Sequence, residues 1–124
     1  DYVTSRSPEQ LRELLVRERV TVLNQTPSAF YQLVEADRVA GASAGALALR
    51  YVVFGGEALD LRKLGRWYER HDASTRLVNM YGITETTVHV SFLPLGERDA
   101  RDAASVIGRA IPGLDAFVLD RRLH

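Results

Sequence analysis

The sequence predicts an α/β fold, a largely parallel sheet flanked by helices, and three observations predict it. Short apolar, β-branched runs at residues 20–23 and 51–54, and a third opening at Leu77-Val78, have the length and make-up of buried strands. Stretches with apolar residues at helical spacing lie between them. Each run also ends in polar or glycine-rich residues. Strand, helix, strand, helix, strand implies crossover connections and parallel neighbours.

In chain order, Asp1-Tyr2-Val3 reads as the tail of a strand already under way. Ser7-Pro8-Glu9-Gln10 starts a helix: Ser7 can cap it, Pro8 suits its first position, and Gln10 can complete a capping box. Leu11, Leu14 and Leu15 then face a core. The strand at 20–23 follows. Thr26-Pro27 restarts a helix with Phe30, Leu33 and Val34 on its inner face. Residues 40–48 are small and glycine-rich, either a loop or a weak helix. After the strand at 51–54, Asp60 caps a third helix carrying Leu61, Leu64 and Trp67. A fourth strand is expected at 88–92 and a fifth at 115–119, with a charged surface loop at 96–104. Neither end resembles a natural terminus, so residues 1–124 read as an internal piece of one larger domain.

Composition narrows the function. The 124 residues are 46% hydrophobic and 26% charged, ordinary for a globular chain. Formal net charge is zero, so no field points to a nucleic-acid partner. No cysteine is present, which excludes disulfides, thiolate metal sites and a cysteine nucleophile. That fits a reducing, cytoplasmic setting. No apolar run could span a membrane, and no signal-peptide pattern is present.

In open parallel sheets, ligands bind outside the carboxyl ends of the strands. Those ends are Asn24, then Gly55-Gly56-Glu57, then Asn79-Met80-Tyr81-Gly82, so one edge gathers three polar or glycine-rich segments. Gly55-Gly56 either lets a flat ligand approach the backbone or simply makes a tight turn. The segment from Asn79 through Thr87 combines an aromatic ring, hydroxyls and one carboxylate. Tyr81 can stack on a base, hydroxyls can hold phosphate oxygens, and Glu85 can share a magnesium ion with a triphosphate. A polar loop with Glu85 in solvent is the other reading. His89, between Val88 and Val90, reads first as a half-buried residue. His71, amid Glu69, Arg70 and Asp72, reads as surface, and Arg121-Arg122 as a solvated turn. Ser28, Ser43 and Ser105 lack the context of an activated nucleophile.

Asn79-Met80-Tyr81-Gly82-Ile83-Thr84-Glu85 resembles the N-x-Y-G-x-T-E motif of adenylate-forming enzymes. Gly55-Gly56-Glu57-Ala58-Leu59 resembles their G-G-E-x-L segment, and Ile107-Gly108-Arg109-Ala110-Ile111 their I-G-R-P-I. Val118-Leu119-Asp120 matches the strand beyond. Ile83 and Ala110 stand where proline is common. The four segments in order cover essentially the whole chain and resemble an adenylation domain of a nonribosomal peptide synthetase, the N-terminal subdomain in particular.

That resemblance implies roles. Tyr81 would stack on adenine, Asn79 would lie near its exocyclic amine, and Gly55, Gly56 and Glu57 would wall the base. Thr84 would contact phosphate and Glu85 would hold Mg²⁺, with Gly82 among the residues that bind the nucleotide. The reaction implied turns ATP and an amino acid into aminoacyl-AMP and pyrophosphate. The acyl group then passes to phosphopantetheine on a carrier domain, beside a condensation domain, in pathways such as antibiotic biosynthesis. The implied amino-acid pocket is Asn24, Val53, Gly55, Met80, Val88 and His89, a set similar to that of threonine-activating domains. The family's phosphate loop, the aspartates for the α-amino group and ribose, and its catalytic lysine match nothing here, so these residues alone are expected to be inactive. An acyl- or aryl-CoA ligase, or a non-catalytic α/β binding module, are the alternatives.

Overall fold

Local chemistry sets the first helix in the computed structural model, which describes residues 7–72, 74–101 and 106–122. Helix α1 spans Pro8–Arg17, and the Ser7 Oγ accepts the Gln10 N–H at 3.3 Å. The expected return bond from the Gln10 side chain is replaced: Ser7 Oγ donates to Glu9 at 3.0 Å. Helix α2 spans Pro27–Ala40 and begins at Thr26, whose side chain makes no capping bond to it. The open stretch at 40–48 resolves into one 3₁₀ turn, Ala42–Ala44. Asp60 accepts the Arg62 N–H, but the helix it starts is a 3₁₀ turn, Leu61–Leu64, that becomes the short helix α3, Gly65–Tyr68.

The strands are β1 Val22–Gln25, β2 Tyr51–Phe54, β3 Arg76–Tyr81, β4 Ser91–Leu95 and β5 Arg109–Ala110. They form one mixed sheet in chain order. β1, β2 and β3 run parallel, with β4 and then β5 added antiparallel. Two expectations are corrected. The fourth strand starts at Ser91 and not at Val88, because residues 83–88 fold back across Gly82 before pairing begins. Residues 115–119 form no strand: Phe117 is 77% exposed and Val118 fully so, and no described strand lies beside them to complete the backbone hydrogen bonds. Residues 1–3, and 102–104 of the expected loop, lie outside the described residues.

Register decides which face is which. Leu23, Val52 and Leu77 are partners across β1, β2 and β3 and are buried, as is Phe54. Asn24, Val53 and Val78 are the next partners and point the other way, because strand side chains alternate. The core lies wholly on the first face, where Phe30, Leu33, Leu64 and Trp67 meet the sheet. Phe30 stands edge-on to Phe54 at 5.0 Å and tilted against Trp67 at 5.1 Å, both ordinary aromatic arrangements.

A buried polar cluster ties the helices together. Arg12 of α1 donates from Nε to Asp37 of α2 at 2.8 Å and from Nη2 to the Gly45 carbonyl at 2.6 Å. His71 Nε2 meets the other oxygen of Asp37 at 2.9 Å, and its ring stacks on Trp67 at 3.7 Å. His71 is therefore a half-buried packing residue, against the surface position expected from its charged neighbours. Burial alone would raise the Asp37 carboxyl, but the hydrogen bonds from His71 and Arg12 outweigh it and hold the group below the usual range.

Candidate functional site

At the carboxyl edge of β2 and β3 lies a cavity of about 250 Å³. Gly56, Glu57, Ala58 and Leu59 form one wall; residues 79–83 form the other, and Ile107 closes the end. Gly56 has φ +84°, a conformation that suits glycine, and it turns the chain away from β2 at once. Tyr81 ends β3 with its ring partly exposed, as a platform in the cavity would require.

Asn79 is only 4% exposed. Its Nδ2 donates to the Val106 carbonyl at 3.0 Å, while its Oδ1 has no hydrogen-bond partner among the described residues. The amide is thereby oriented with its acceptor free. Ser91 Oγ adds a 2.7 Å bond to the Ile107 carbonyl, so residues 106–107 are fastened from two strands. Ile107 lines the cavity from this fastened segment. In the sequence Ile107 belongs to a motif without a place in the site, and Ser91 belongs to no motif. A serine opening a strand opposite a glycine-rich segment was the available signal.

After Tyr81 the chain doubles back. A Cβ on Gly82 would lie 1.7 Å from the Val88 carbonyl oxygen, so only glycine lets the two segments cross. Thr86 closes the loop: its hydroxyl accepts the Ile83 N–H at 3.0 Å and lies within donating distance of the Ile83 and Val88 carbonyls. Thr84–Thr86 is one 3₁₀ turn that leaves Thr84 and Glu85 exposed. Neither lines the cavity; they stand beside it at the turn's apex.

Glu57 is engaged within the chain. Its carboxylate accepts the Ser28 N–H at 3.1 Å and the Ser28 hydroxyl at 2.9 Å. These bonds, the hydroxyl's first, hold its carboxyl below the usual range.

The residues expected to select an amino acid divide differently. Asn24 and Val53 are register partners on the face opposite the core, and Gly55 and Met80 come two residues further along in the same orientation. His89 joins them, for a Cβ on Gly55 would sit 2.7 Å from its Nε2. Val88 is exposed in the loop. The two groups of residues share the sheet's carboxyl edge, one group at the base-sized cavity and one on the adjoining open face. Among the described residues no helix is long and apolar enough to cross a membrane.

Several known proteins resemble this chain. The profile described as AMP-binding enzyme matches residues 2–124. The chain is 58% identical over 122 residues to a dimodular nonribosomal peptide synthase of Bacillus subtilis, covering 97% of this chain and 5% of that protein. It is 50% identical to syringomycin synthase SyrB1 of Pseudomonas syringae, covering 96% of this chain and 19% of that one. Its backbone resembles that of PA1221, a nonribosomal peptide synthetase protein containing adenylation and PCP domains, with TM-score 0.77 and 30% identity. That match covers 94% of this chain and 22% of PA1221. The chain thus spans between a twentieth and a fifth of the length of these curated relatives.

Proposed function

The chain belongs to the AMP-binding enzyme family, and from that premise we propose that it supplies the adenine and substrate-selecting edge of an amino-acid-adenylating domain in a nonribosomal peptide synthetase. One observation carries the reading. Tyr81 and Asn79 face Gly56 and its neighbours across a single cavity at the carboxyl edge of a parallel sheet. Adenine fits this arrangement on two counts. The Tyr81 ring offers a stacking surface. With its Nδ2 committed to Val106, Asn79 offers an acceptor, which suits the exocyclic amine of adenine and disfavours a base carrying a carbonyl there.

The substrate carboxylate oxygen attacks the α-phosphorus of ATP, the bond to the bridging oxygen breaks, and pyrophosphate leaves with that electron pair. The contribution of these residues is alignment and neutralisation of charge. Thr84 would contact phosphate, and Glu85 would hold magnesium. Magnesium beside a triphosphate takes one or two carboxylates together with phosphate oxygens, a role the exposed Glu85 carboxylate would suit. The ion, when bound, offsets the charge of the triphosphate.

Asn24, Val53, Gly55, Met80, Val88 and His89 form the amino-acid pocket. Gly55 leaves space for the His89 ring, and Asn24 and His89 can bond a small hydroxylated side chain. Threonine is the substrate this set favours, since a site built to bond a hydroxyl rejects analogues lacking it. A carrier domain bearing phosphopantetheine takes the acyl group, beside a condensation domain; the resemblance to a protein with adenylation and PCP domains supports the first. The test is amino-acid-dependent exchange of pyrophosphate into ATP by the parent synthetase. Threonine should give the highest rate. Preference for a large apolar amino acid would overturn the substrate, and exchange with no amino acid would overturn the function.

A further inference from the structure

The wall of the cavity has no backbone support of its own. Gly55 N–H donates to the Gln25 carbonyl at 3.4 Å, and beyond it no backbone hydrogen bond involves residues 56–59 among the described residues. What holds this wall lies on α2. Ser28 binds the Glu57 carboxylate through both its N–H and its hydroxyl. One turn later, Tyr31 OH accepts the Asp60 N–H at 3.0 Å and donates to the Asp60 carbonyl at 3.2 Å. Ser28 and Tyr31 are three apart and share a helix face. Glu57 and Asp60 are also three apart, so the two segments meet at both ends. Between the two attachments Leu59 is 2% exposed and fixed in the core, while Ala58 stays exposed toward the cavity.

The helix needs the contact as much as the wall does. Thr26, in the capping position, makes no side-chain capping bond and turns its hydroxyl to Ser28 Oγ at 3.3 Å. The first turn of a helix has unpaired N–H groups and favours negative charge. Glu57, 29 positions downstream, supplies both an acceptor and that charge.

We propose that the first turn of α2 mounts the nucleotide cavity, with Ser28, Tyr31 and Glu57 as positioning residues that fix residues 56–59 for the base. The proposal rests on the adenylation reading above and extends it. Glu57 acts through Ser28 and not by touching the nucleotide. Residues 24–25 lead directly into this turn, so the same mounting also sets the spacing between the cavity and Asn24.

The test is a double-mutant cycle in the parent adenylation domain with Ser28→Ala, Glu57→Gln and both together. Each single variant should raise KM for ATP about three- to tenfold, the loss of one or two hydrogen bonds, with kcat at saturating ATP changed less than twofold. The double variant should be no worse than the worse single one, because both remove the same contact. Tyr31→Phe should raise KM for ATP in the same way. Hydrogen exchange of the nucleotide-free domain should show faster exchange at the Gly55 and Asp60 amides, the hydrogen-bonded ones at the two ends of the wall, in every variant. If Glu57→Gln raises KM while Ser28→Ala leaves both KM and exchange unchanged, Glu57 touches the nucleotide itself and the mounting role is overturned. Additive effects in the double variant overturn it likewise. A wild-type parent with no ATP–pyrophosphate exchange overturns the adenylation reading instead, and the hydrogen-exchange result then still decides whether α2 fixes the wall.

Discussion

Tyr81, Gly82 and Gly55 each separate one physical effect from the others. Tyr81→Ala removes a stacking surface and little else, because the ring is already partly exposed. KM for ATP should rise about tenfold, in line with a base–aromatic contact of about 1–3 kcal/mol, and the preferred amino acid should not change. Gly82→Ala puts a methyl group against a backbone oxygen that no side-chain rotation can clear. The loop at 83–88 must then shift, carrying Thr84 and Glu85 with it, and pyrophosphate exchange should fall below detection while the domain still melts cooperatively. Gly55→Ala meets only the end of His89, a side chain that can swing. Exchange with the preferred amino acid should drop while KM for ATP holds, and KM rising instead would show that Gly55 serves the base. The motif residues were legible because glycine, tyrosine and carboxylate have few interchangeable uses at a strand end. His71 was misread because adjacent charges describe the chain locally, whereas its partner Asp37 comes from a helix 34 residues earlier.

Among the elements, α1, α2 and the segment that follows α3 depend on one another through Arg12, Asp37 and His71. Arg12 is 3% exposed and Asp37 4%, so Asp37→Asn removes a buried carboxylate charge that lies 2.8 Å from the Arg12 guanidinium. Removing one partner of such a pair destabilises by about 3–5 kcal/mol; denaturant unfolding of the adenylation domain should show a lower midpoint at unchanged slope. The carboxyl's pKa is depressed in the folded state, so its stabilising contribution is complete above the ordinary aspartate value of about 4 and is lost as pH falls through the lower folded value. The variant should lack that acid-side decline. Helix starts were readable here because Ser7, Pro8, Thr26 and Pro27 act over one turn. Strand limits were less so: Val88 and Val90 have strand character, yet the crossing at Gly82 delays pairing to Ser91. Residues 115–119 show the same point from the other side, since a strand exists only where another offers it hydrogen bonds.

For the molecule as a whole, the cavity proposed for adenine lies within this chain, while the phosphate loop and catalytic lysine expected of the family match none of its residues. Lys63, the only lysine, sits over the Tyr31 ring at 5.0 Å, on α2's side of the sheet, and is no candidate for a catalytic lysine. Purified residues 1–124 should therefore give no pyrophosphate exchange with any amino acid, and measurable turnover would contradict the assignment of roles. The overall class was readable from alternating strand and helix patterns; the one-sidedness of the core was not, because it depends on register between strands. That one-sidedness reaches beyond folding. The side chains that anchor the molecule and those that would choose its substrate alternate along the same strands but never share a face, so drift at Asn24, Val53 or Met80 leaves the structural ballast undisturbed. A lineage, or an engineer, can change what such a domain accepts by editing one side of a ribbon whose other side keeps it standing.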